Sequence, residues 1–364
     1  MFKQNKKAGA DEIPAATQLF TPHWIVRYLV ENSLGRLWML NRPGSRLVDQ
    51  MEYYIPPVDE ETEFLKIVRP EELKVVDPAC GSGHMLTYAF DLLYAIYEEE
   101  GYAPAEIPGL ILTNNLYGIE IDPRAGALAA FAMTMKARAK QRTFFNKQVE
   151  PNVCVLDPIS FSPDEIDSLL TRGGDKAAET GFWNQFEHAD TFGSLIQPDP
   201  ELTVRLKRHI AQLDDQGDIL LSDVVYWARR VVDQADYLGR AYHVVVTNPP
   251  YMGTGNMDGR LSAFAKDFYP ESKADLFAMF IQRSFDMLHL EGYSALVTME
   301  SWMFLRAYKD LRERIVTSKT IAAIVHMPYL GKGGTPMGIN FGTAATVIAN
   351  RRARGAVSSF QCVR

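Results

Sequence analysis

The stretch LKVVDPACGSGHMLTYAFDLLYAIYEEEG, residues 73–101, joins a short apolar run to a turn of small residues and a long helical pattern. The apolar run predicts a buried strand, and the later apolar residues recur at helical spacing. Ala79, Gly81 and Gly83 remove side-chain bulk where the strand becomes a helix, so a ligand could approach the backbone there. The turn lacks the third glycine of G-x-G-x-x-G, and a bare packing turn is the alternative.

The same order of strand, turn and helix recurs in residues 114–140, NNLYGIEIDPRAGALAAFAMTMKARAK, where the strand ends in acidic residues. Residues 149–161, VEPNVCVLDPISF, contain a third predicted strand, which ends in an acid. Further strands are predicted in YHVVVTNPPY, YSALVTMESW, TIAAIVHMP and TAATVIAN. Strands that alternate with helices predict an α/β, Rossmann-like, doubly wound and mostly parallel sheet that binds ligands at the carboxyl ends of its strands.

Two segments stand outside this repeating order. An N-terminal helix is predicted after Thr21 and Pro22, with Thr21 as its N-cap and Pro22 at its first position. Residues 163–240 are polar and helical in pattern, which indicates a helical insertion. We therefore expect an N-terminal helical segment at 1–50, the main domain at 51–350, and the start of a further region at 351–364.

Composition narrows the class of protein. The chain of 364 residues is 47% hydrophobic and carries a net charge of −7, yet ten Lys and Arg residues follow Glu300 against two acids. Such local basic surface could neutralise phosphates, although solvated faces are an equal alternative. The chain has no long apolar run, no apolar signal segment and no paired cysteines, so we expect a cytoplasmic protein that requires neither a membrane nor a metal.

Two acids occupy the ends of the predicted second and third strands. Glu120 could accept hydrogen bonds from both hydroxyls of a ribose, and a helix N-cap is the alternative, which suits Asp122 better. Asp157 could accept a hydrogen bond from the exocyclic amine of an adenine. A turn aspartate ahead of proline is its equally plausible alternative.

The stretch VVVTNPPYMG, residues 244–253, ends a strand with two prolines, which cannot continue a central strand. Asn248 offers a side-chain carbonyl and Pro249 a backbone carbonyl, so two acceptors could face one amino group. Pro250 stiffens the turn, and Tyr251 supplies a flat face for a planar heterocycle. A strand-ending turn with a packed tyrosine is the alternative.

Taken in order, TQLFTP, DPACGSG, GIEIDP, VLDPI and NPPY resemble the motifs of amino-methyltransferases that use S-adenosylmethionine. The order is that of the gamma group of DNA adenine-N6 methyltransferases, and the resemblance runs from about Gln18 to Ile348. The segments MEYYIPP and TFGSLIQP further resemble the PglX-type adenine methyltransferases of BREX phage-exclusion systems, with type I and type IIG restriction-modification methyltransferases as near relatives.

The resemblance implies roles for individual residues. Contacts to the cofactor would come from Thr21, Asp77, Ala79, Gly81, Gly83, Glu120, Ile121 and Asp157. Asn248, Pro249, Pro250 and Tyr251 would hold a flipped-out adenine of double-stranded DNA, with Phe341 as a second aromatic beside it. The cofactor would be S-adenosylmethionine, and subunits of a defence system are further expected partners.

The chain also departs from the family pattern. Pro158 replaces an aromatic that often follows the motif with Asp157, and the chain ends soon after Ile348, where family members continue into a target-recognition region. We therefore expect a fragment of a longer protein or a separate specificity partner. Two alternatives remain open, namely methylation of a protein glutamine amide, and a cofactor-binding module that is inactive without its partner.

Overall fold

A seven-stranded sheet forms the centre of the molecule. The computed structural model describes residues 21–57, 60–213, 219–329, 331 and 339–352. The strands are β1 Val75–Asp77, β2 Leu116–Glu120, β3 Asn152–Val155, β4 Tyr242–Thr247, β5 Leu288–Met299, β6 Thr320–Met327 and β7 Thr343–Ala349. Their order is β3-β2-β1-β4-β5-β7-β6. Among these strands, only β7 runs in the direction opposite to the other six.

The strand order reverses direction between β1 and β4. From β1 the chain adds β2 and β3 on one side, and then returns to place β4 and β5 on the other. Val76 of β1 pairs with both Tyr117 of β2 and Val245 of β4. Such a reversal leaves a crevice at the carboxyl ends of the strands, where ligands of open α/β sheets bind.

Both faces of the sheet are covered, because alternate side chains of its strands are buried on opposite faces. In β4, Val244 and Val246 pack with the apolar cluster on one face, whereas Val245 packs with the cluster on the other. Successive side chains of a strand point to opposite faces, so a strand buried on both sides is apolar throughout. This explains the unbroken VVV run ahead of the two prolines.

Helices form the two outer layers. The α-helices of the described residues are α1 His23–Val30, α2 Arg36–Asn41, α3 His84–Glu99, α4 Ile107–Leu110, α5 Pro123–Lys140, α6 Pro163–Leu169, α7 Lys176–Asn184, α8 Ala189–Phe192, α9 Pro200–Gln212, α10 Ile219–Gly239, α11 Gly259–Phe268, α12 Leu276–Asp286 and α13 Lys309–Ser318. A π-helical turn at Glu31–Gly35 joins α1 to α2. Helices α6 to α10 lie between β3 and β4, so the fold class predicted from sequence, including the helical insertion, is confirmed.

The start of α1 differs from the prediction. Pro22, not Thr21, is the N-cap residue, and the Pro22 carbonyl accepts the first hydrogen bonds, from the N–H groups of Ile25 at 2.9 Å and Val26 at 3.2 Å. The Thr21 hydroxyl instead accepts a hydrogen bond from the side chain of Asn248, the residue that follows β4.

The N-terminal helices pack into the core of the main domain. Ile25, Leu29 and Trp38 are fully buried in the cluster that also contains Val244 and Tyr293 of the sheet. The buried Asn32 side chain donates to the Tyr53 carbonyl at 2.8 Å, which fixes the MEYYIPP loop against the helix. The N-terminal helices and the main domain therefore share one apolar cluster, and most of the predicted 351–364 region lies outside the described residues.

None of the helices in the described part of the chain is long and apolar enough to cross a membrane. Over the same residues, no group of three or more His, Cys, Asp or Glu side chains is arranged to hold a metal ion.

Candidate active site

Four polar residues stand at the carboxyl ends of four adjacent strands. Asp157, Glu120, Asp77 and Asn248 end or follow β3, β2, β1 and β4, which is the order of these strands in the sheet. The parallel pairing of these strands places all four residues on one edge, on both sides of the reversal between β1 and β4. The sequence motifs thus meet in one crevice.

The turn between β1 and α3 has the open backbone predicted from its small residues. Gly81 and Gly83 have φ angles of +52° and +85°, which favour glycine. A Cβ atom at Gly81 would meet nothing within 4 Å, whereas one at Gly83 would lie 3.2 Å from the Cα of Ala129 in α5. Gly83 thus permits close helix packing, and Gly81 leaves free space where a ligand could approach.

Asp77 lies at the base of this turn with its side chain buried. Its Oδ1 accepts a hydrogen bond from the Ala79 N–H at 3.1 Å, which holds the turn. Burial raises the pKa of the Asp77 carboxyl to about 7, and the nearby Glu120 carboxylate adds to this shift. A cationic ligand group beside Asp77 would favour its ionised form.

The Glu120 carboxylate faces the same turn. Its Oε2 accepts from the Gly81 N–H at 2.7 Å, and its Oε1 accepts from the N–H groups of Ile121 at 2.9 Å and Asp122 at 3.0 Å. Asp122 itself caps α5 by accepting from the Arg124 N–H, so the structure separates the capping acid from Glu120 as predicted. These bonds fix Glu120 at the mouth of the turn.

The helical insertion forms a wall beside the turn, through the TFGSLIQP segment. The Ser194 hydroxyl donates to the Pro78 carbonyl at 2.5 Å, and a Cβ atom at Gly193 would lie 3.1 Å from Ile121. The buried Arg283 of α12 holds this segment by donating to the carbonyls of Ser194 at 2.9 Å and Ile196 at 3.0 Å. The insertion therefore helps to shape the candidate site.

Asp157 also contacts the insertion. Its Oδ2 lies 2.5 Å from Nη2 of Arg230 in α10, and its carboxylate remains partly exposed. The Asp157 N–H donates to the side chain of Gln234, one helical turn beyond Arg230. The sequence-based interpretation of Asp157 anticipated neither partner.

The turn that follows β4 is ordered by two hydrogen bonds of the Asn248 amide. Nδ2 of Asn248 donates to the Thr21 hydroxyl at 3.0 Å, and Oδ1 lies 2.7 Å from the Tyr251 hydroxyl. The Tyr251 hydroxyl also lies 2.9 Å from the Val297 carbonyl. Since the hydroxyl has one proton, it donates to only one of these acceptors at a time.

Phe341 lies beside Tyr251, where the sequence predicted a second aromatic. The ring centroids are 5.7 Å apart, and the planes meet at 71°, which is an edge-to-face contact. Phe277 packs against another part of the Tyr251 ring, with centroids 6.2 Å apart. The two predicted aromatics are therefore neighbours, but they do not form a parallel slot in this arrangement.

The buried Asp275 side chain stabilises the backbone that follows Tyr251. Oδ1 of Asp275 accepts from the Met252 N–H at 2.9 Å and from the Phe277 N–H at 3.3 Å, so it links the turn to the start of α12. Burial raises the pKa of Asp275 to about 6. The Met252 carbonyl in turn accepts from the Leu276 N–H at 3.1 Å.

Part of the basic set predicted after Glu300 has structural partners among the described residues. Arg312 donates to the carbonyls of Trp302 and Leu305, and Arg351 pairs with Glu61 at 2.7 Å. Arg314 and Lys319 also have structural partners. The exposed members are Arg306, Lys309 and Arg352, while Lys332, Arg354 and Arg364 lie outside the described residues. The exposed members remain available for contact with an anionic partner.

The model of the family described as "Eco57I restriction-modification methylase" matches residues 114–331. The chain belongs to this family of restriction-modification methylases, which confirms the resemblance inferred from its motifs.

Two curated relatives make the similarity more specific. The chain is 41% identical over 356 residues to "Adenine-specific methyltransferase BrxX" of Escherichia coli O9:H4 (strain HS), an alignment that covers 88% of this chain and 30% of the relative. It is 36% identical over 390 residues to "Adenine-specific methyltransferase PglX" of Lacticaseibacillus casei (strain Zhang), covering 99% of this chain and 31% of the relative. The chain thus spans about a third of the length of these relatives.

Solved structures support the fold. The chain superimposes on the "ATP-dependent Type ISP restriction-modification enzyme LlaBIII bound to DNA" with a TM-score of 0.52 and 14% sequence identity, over 92% of this chain and 19% of that one. At this identity the likeness concerns the fold alone.

Proposed function

We propose that this chain is the catalytic part of a DNA methyltransferase that transfers the methyl group of S-adenosylmethionine to N6 of a flipped-out adenine. The observation that carries the proposal is the row of Asp157, Glu120, Asp77 and Asn248 along one sheet edge, with Tyr251 beside Asn248. The names of the BrxX and PglX relatives, both adenine-specific methyltransferases, support the same substrate.

The residues present fit the proposed cofactor. The open face of Gly81 leaves space against the backbone, and the buried Asp77 carboxyl offers a partner for a cationic methionine end. Glu120, fixed by three backbone N–H groups, is placed to accept from a ribose diol, with the apolar Ile121 beside it. When bound, S-adenosylmethionine would supply an electrophilic methyl group on a sulfonium.

Asn248 and Pro249 would act on the target amine. Hydrogen bonds from the two N6 protons to Asn248 Oδ1 and the Pro249 carbonyl would draw the nitrogen lone pair out of conjugation with the ring and leave it directed at the methyl group. The new N–C bond would form as the S–C bond breaks, and the displaced N6 proton would pass to water. Catalysis would then consist of positioning and electrostatics.

Tyr251 would take part in two ways. Its ring would stack on the flipped base, because N6 is inaccessible to in-line attack inside a duplex. Its hydroxyl would turn from Asn248 Oδ1 to the Val297 carbonyl when the base arrives, since both acceptors lie within hydrogen-bond distance. Asn248 Oδ1 would thereby be released for the amine without leaving the hydroxyl unpaired.

No thiol is required. Cys80 lies in the cofactor turn, and burial raises the pKa of its thiol well above the usual value, so it would remain protonated. Its sulfur packs against Gly118, where a Cβ atom would approach it to 3.1 Å. Cys80 would therefore serve as a packing residue, and the proposed transfer is direct.

The proposal is tested by product analysis. The chain, and a longer parent protein where one exists, is incubated with isotope-labelled S-adenosylmethionine and mixed-sequence duplex DNA, and the nucleosides are analysed by mass spectrometry. We expect label in N6-methyladenine, with none in a parallel reaction on glutamine-containing peptides. Label in methylglutamine alone would favour the protein-directed alternative.

Measurements of cofactor binding and of turnover would together reveal a dependence on a partner. Calorimetric binding of the cofactor without turnover by the chain, together with turnover by the parent protein, would identify a module that needs the rest of the protein or another defence-system subunit. We further propose a role in phage defence, through a BREX or restriction-modification system, as the resemblance of the motifs implies; membership of the restriction-modification methylase family supports this proposal. Phage plaque counts on cells with and without the gene would test that role.

A further inference from the structure

One face of α10 holds Asp157 through its backbone. Gln234 is fully buried, and its Oε1 accepts from the Asp157 N–H at 2.5 Å while its Nε2 donates to the Asp157 carbonyl at 3.3 Å. A single amide thus satisfies both backbone groups of Asp157, two residues after the end of β3. Buried backbone groups require such partners, so the Gln234 side chain fixes where this loop begins.

The same helix face holds the Asp157 side chain. Arg230 precedes Gln234 by four residues, a spacing that places both side chains on one side of a helix. Nη2 of Arg230 lies 2.5 Å from Asp157 Oδ2 and 3.3 Å from the Val155 carbonyl at the end of β3. The guanidinium therefore joins the strand end to one carboxylate oxygen.

The ion pair with Arg230 uses one oxygen of the Asp157 carboxylate and leaves the other to bind a ligand. Arg230 engages Oδ2, and 38% of the Asp157 side chain remains exposed. Such a half-exposed ion pair adds little to stability, so its main effect is on the orientation of the carboxylate. The Glu120 carbonyl accepts from the Leu156 N–H at 2.8 Å, which keeps the ends of β2 and β3 side by side.

We propose that Arg230 and Gln234 of the helical insertion are positioning residues that orient Asp157, so that its Oδ1 accepts a hydrogen bond from the exocyclic amine of the cofactor's adenine. The inference rests on the proposed function, because it assumes that Asp157 faces S-adenosylmethionine. It gives the insertion a role in cofactor selectivity, in addition to packing against the sheet.

The test compares two ligands that differ at the purine 6-position. S-adenosylhomocysteine carries an amine that can donate a hydrogen bond to a carboxylate. S-inosylhomocysteine carries a carbonyl oxygen at the same position, which cannot donate and would be repelled by the carboxylate. Their dissociation constants are measured by calorimetry with the full chain. We expect the wild-type protein to prefer the adenosyl ligand by about tenfold or more, as a charge-assisted hydrogen bond requires.

Replacing Arg230 should reduce this preference. Arg230→Met should lower the ratio of the two dissociation constants to about threefold or less, mainly by weakening the adenosyl ligand. Arg230→Lys, which retains the charge but cannot span both Asp157 and Val155, should fall between. The neighbouring Arg229 is exposed on the same helix, so Arg229→Met is the matched control and should keep the wild-type ratio.

The outcomes separate positioning from packing. A purely structural role for Arg230 would lower the urea midpoint and weaken both ligands equally, and an unchanged ratio in Arg230→Met would overturn the proposal. If Arg230→Met fails to fold, Arg230→Gln replaces it, and an unchanged ratio there is equally decisive.

The two proposals can also fail separately. Equal binding of both ligands by the wild-type protein would overturn the role of Asp157 and of its partners, while N6-methyladenine in the product assay would leave the proposed function standing. Selective binding that depends on Arg230, without any methylated nucleoside from either the chain or the longer parent protein, would support the positioning role and reject methylation of DNA.

Discussion

The Thr21 hydroxyl accepts a hydrogen bond from Asn248 Nδ2 at 3.0 Å, which ties the residue ahead of α1 to the residue that follows β4. An amide has a donor end and an acceptor end, so a bond that uses Nδ2 also determines the direction of Oδ1. Oδ1 faces Tyr251 and the proposed position of the target amine. Thr21 therefore orients Asn248, in addition to the cofactor contact implied by its motif.

Removing the Thr21 hydroxyl should slow methyl transfer. Thr21→Val keeps the shape of the side chain but cannot accept the Asn248 bond, and we expect the single-turnover rate to fall by about tenfold, the value of one hydrogen bond. Thr21→Ser retains the hydroxyl and should stay within about twofold of wild type. Equal rates for Thr21→Val and the wild-type protein would show that this bond does not orient Asn248.

Tyr251 offers a way to separate its ring from its hydroxyl. Tyr251→Phe should lower the free energy of unfolding by about 1 kcal/mol and retain methyl transfer within about tenfold, because the stacking face remains. Tyr251→Ala should lower the single-turnover rate by about 100-fold or more. Equally severe losses in both variants would assign the main role to the hydroxyl rather than to stacking.

Much of this fold could be predicted from the sequence, because its signals are local. The strands around Val76, Ile119 and Val245 are short apolar runs, and each is followed by Pro, Gly or an acid that marks its end. Parallel strands bring such ends to one edge of a sheet, so the row from Asp157 to Asn248 follows from the order of the motifs.

What the sequence did not indicate depends on contacts between distant segments. The partners of Asp157 and Pro78 come from the insertion, and nothing local distinguishes Arg230 or Ser194 from surface residues. Gln234 gave the one available signal, a polar residue on an apolar helix face next to Val231 and Leu238. Threonine before proline suits an N-cap position, and only the fold brings Asn248 close enough to bond to the Thr21 hydroxyl.

Asp77 should make the stability of the protein depend on pH. Burial raises its pKa from the usual 3.8 to about 7, so the folded state favours the protonated carboxyl. The resulting stability is fully present below the unfolded pKa and is lost as pH rises through the folded value. From pH 5 to pH 8, the free energy of unfolding should decrease in the wild-type protein by about 2 to 3 kcal/mol more than it does in the Asp77→Asn variant.

Urea unfolding at the two pH values measures this difference. Asp164→Asn, which alters an exposed aspartate in α6, should show the wild-type dependence. Identical pH dependence in the wild-type protein and Asp77→Asn would contradict the assignment of this titration to Asp77.

Arg283 should be essential for holding the TFGSLIQP segment. It is buried and donates to the carbonyls of Ser194, Ile196 and Leu238. Arg283→Met would leave these acceptors unpaired, and we expect a loss of about 2 to 4 kcal/mol in urea unfolding together with weaker cofactor binding. A variant as stable as Arg229→Met, the exposed control, would show that the segment does not depend on Arg283.

Asn248 should activate the target amine. The most direct measurement is the single-turnover rate of N6-methyladenine formation by the wild-type protein and Asn248→Ala, with cofactor and DNA saturating. We predict a fall of about 100-fold or more in Asn248→Ala, with the cofactor dissociation constant within about threefold of wild type. Formation of N6-methyladenine by Asn248→Ala at the wild-type rate would contradict the account.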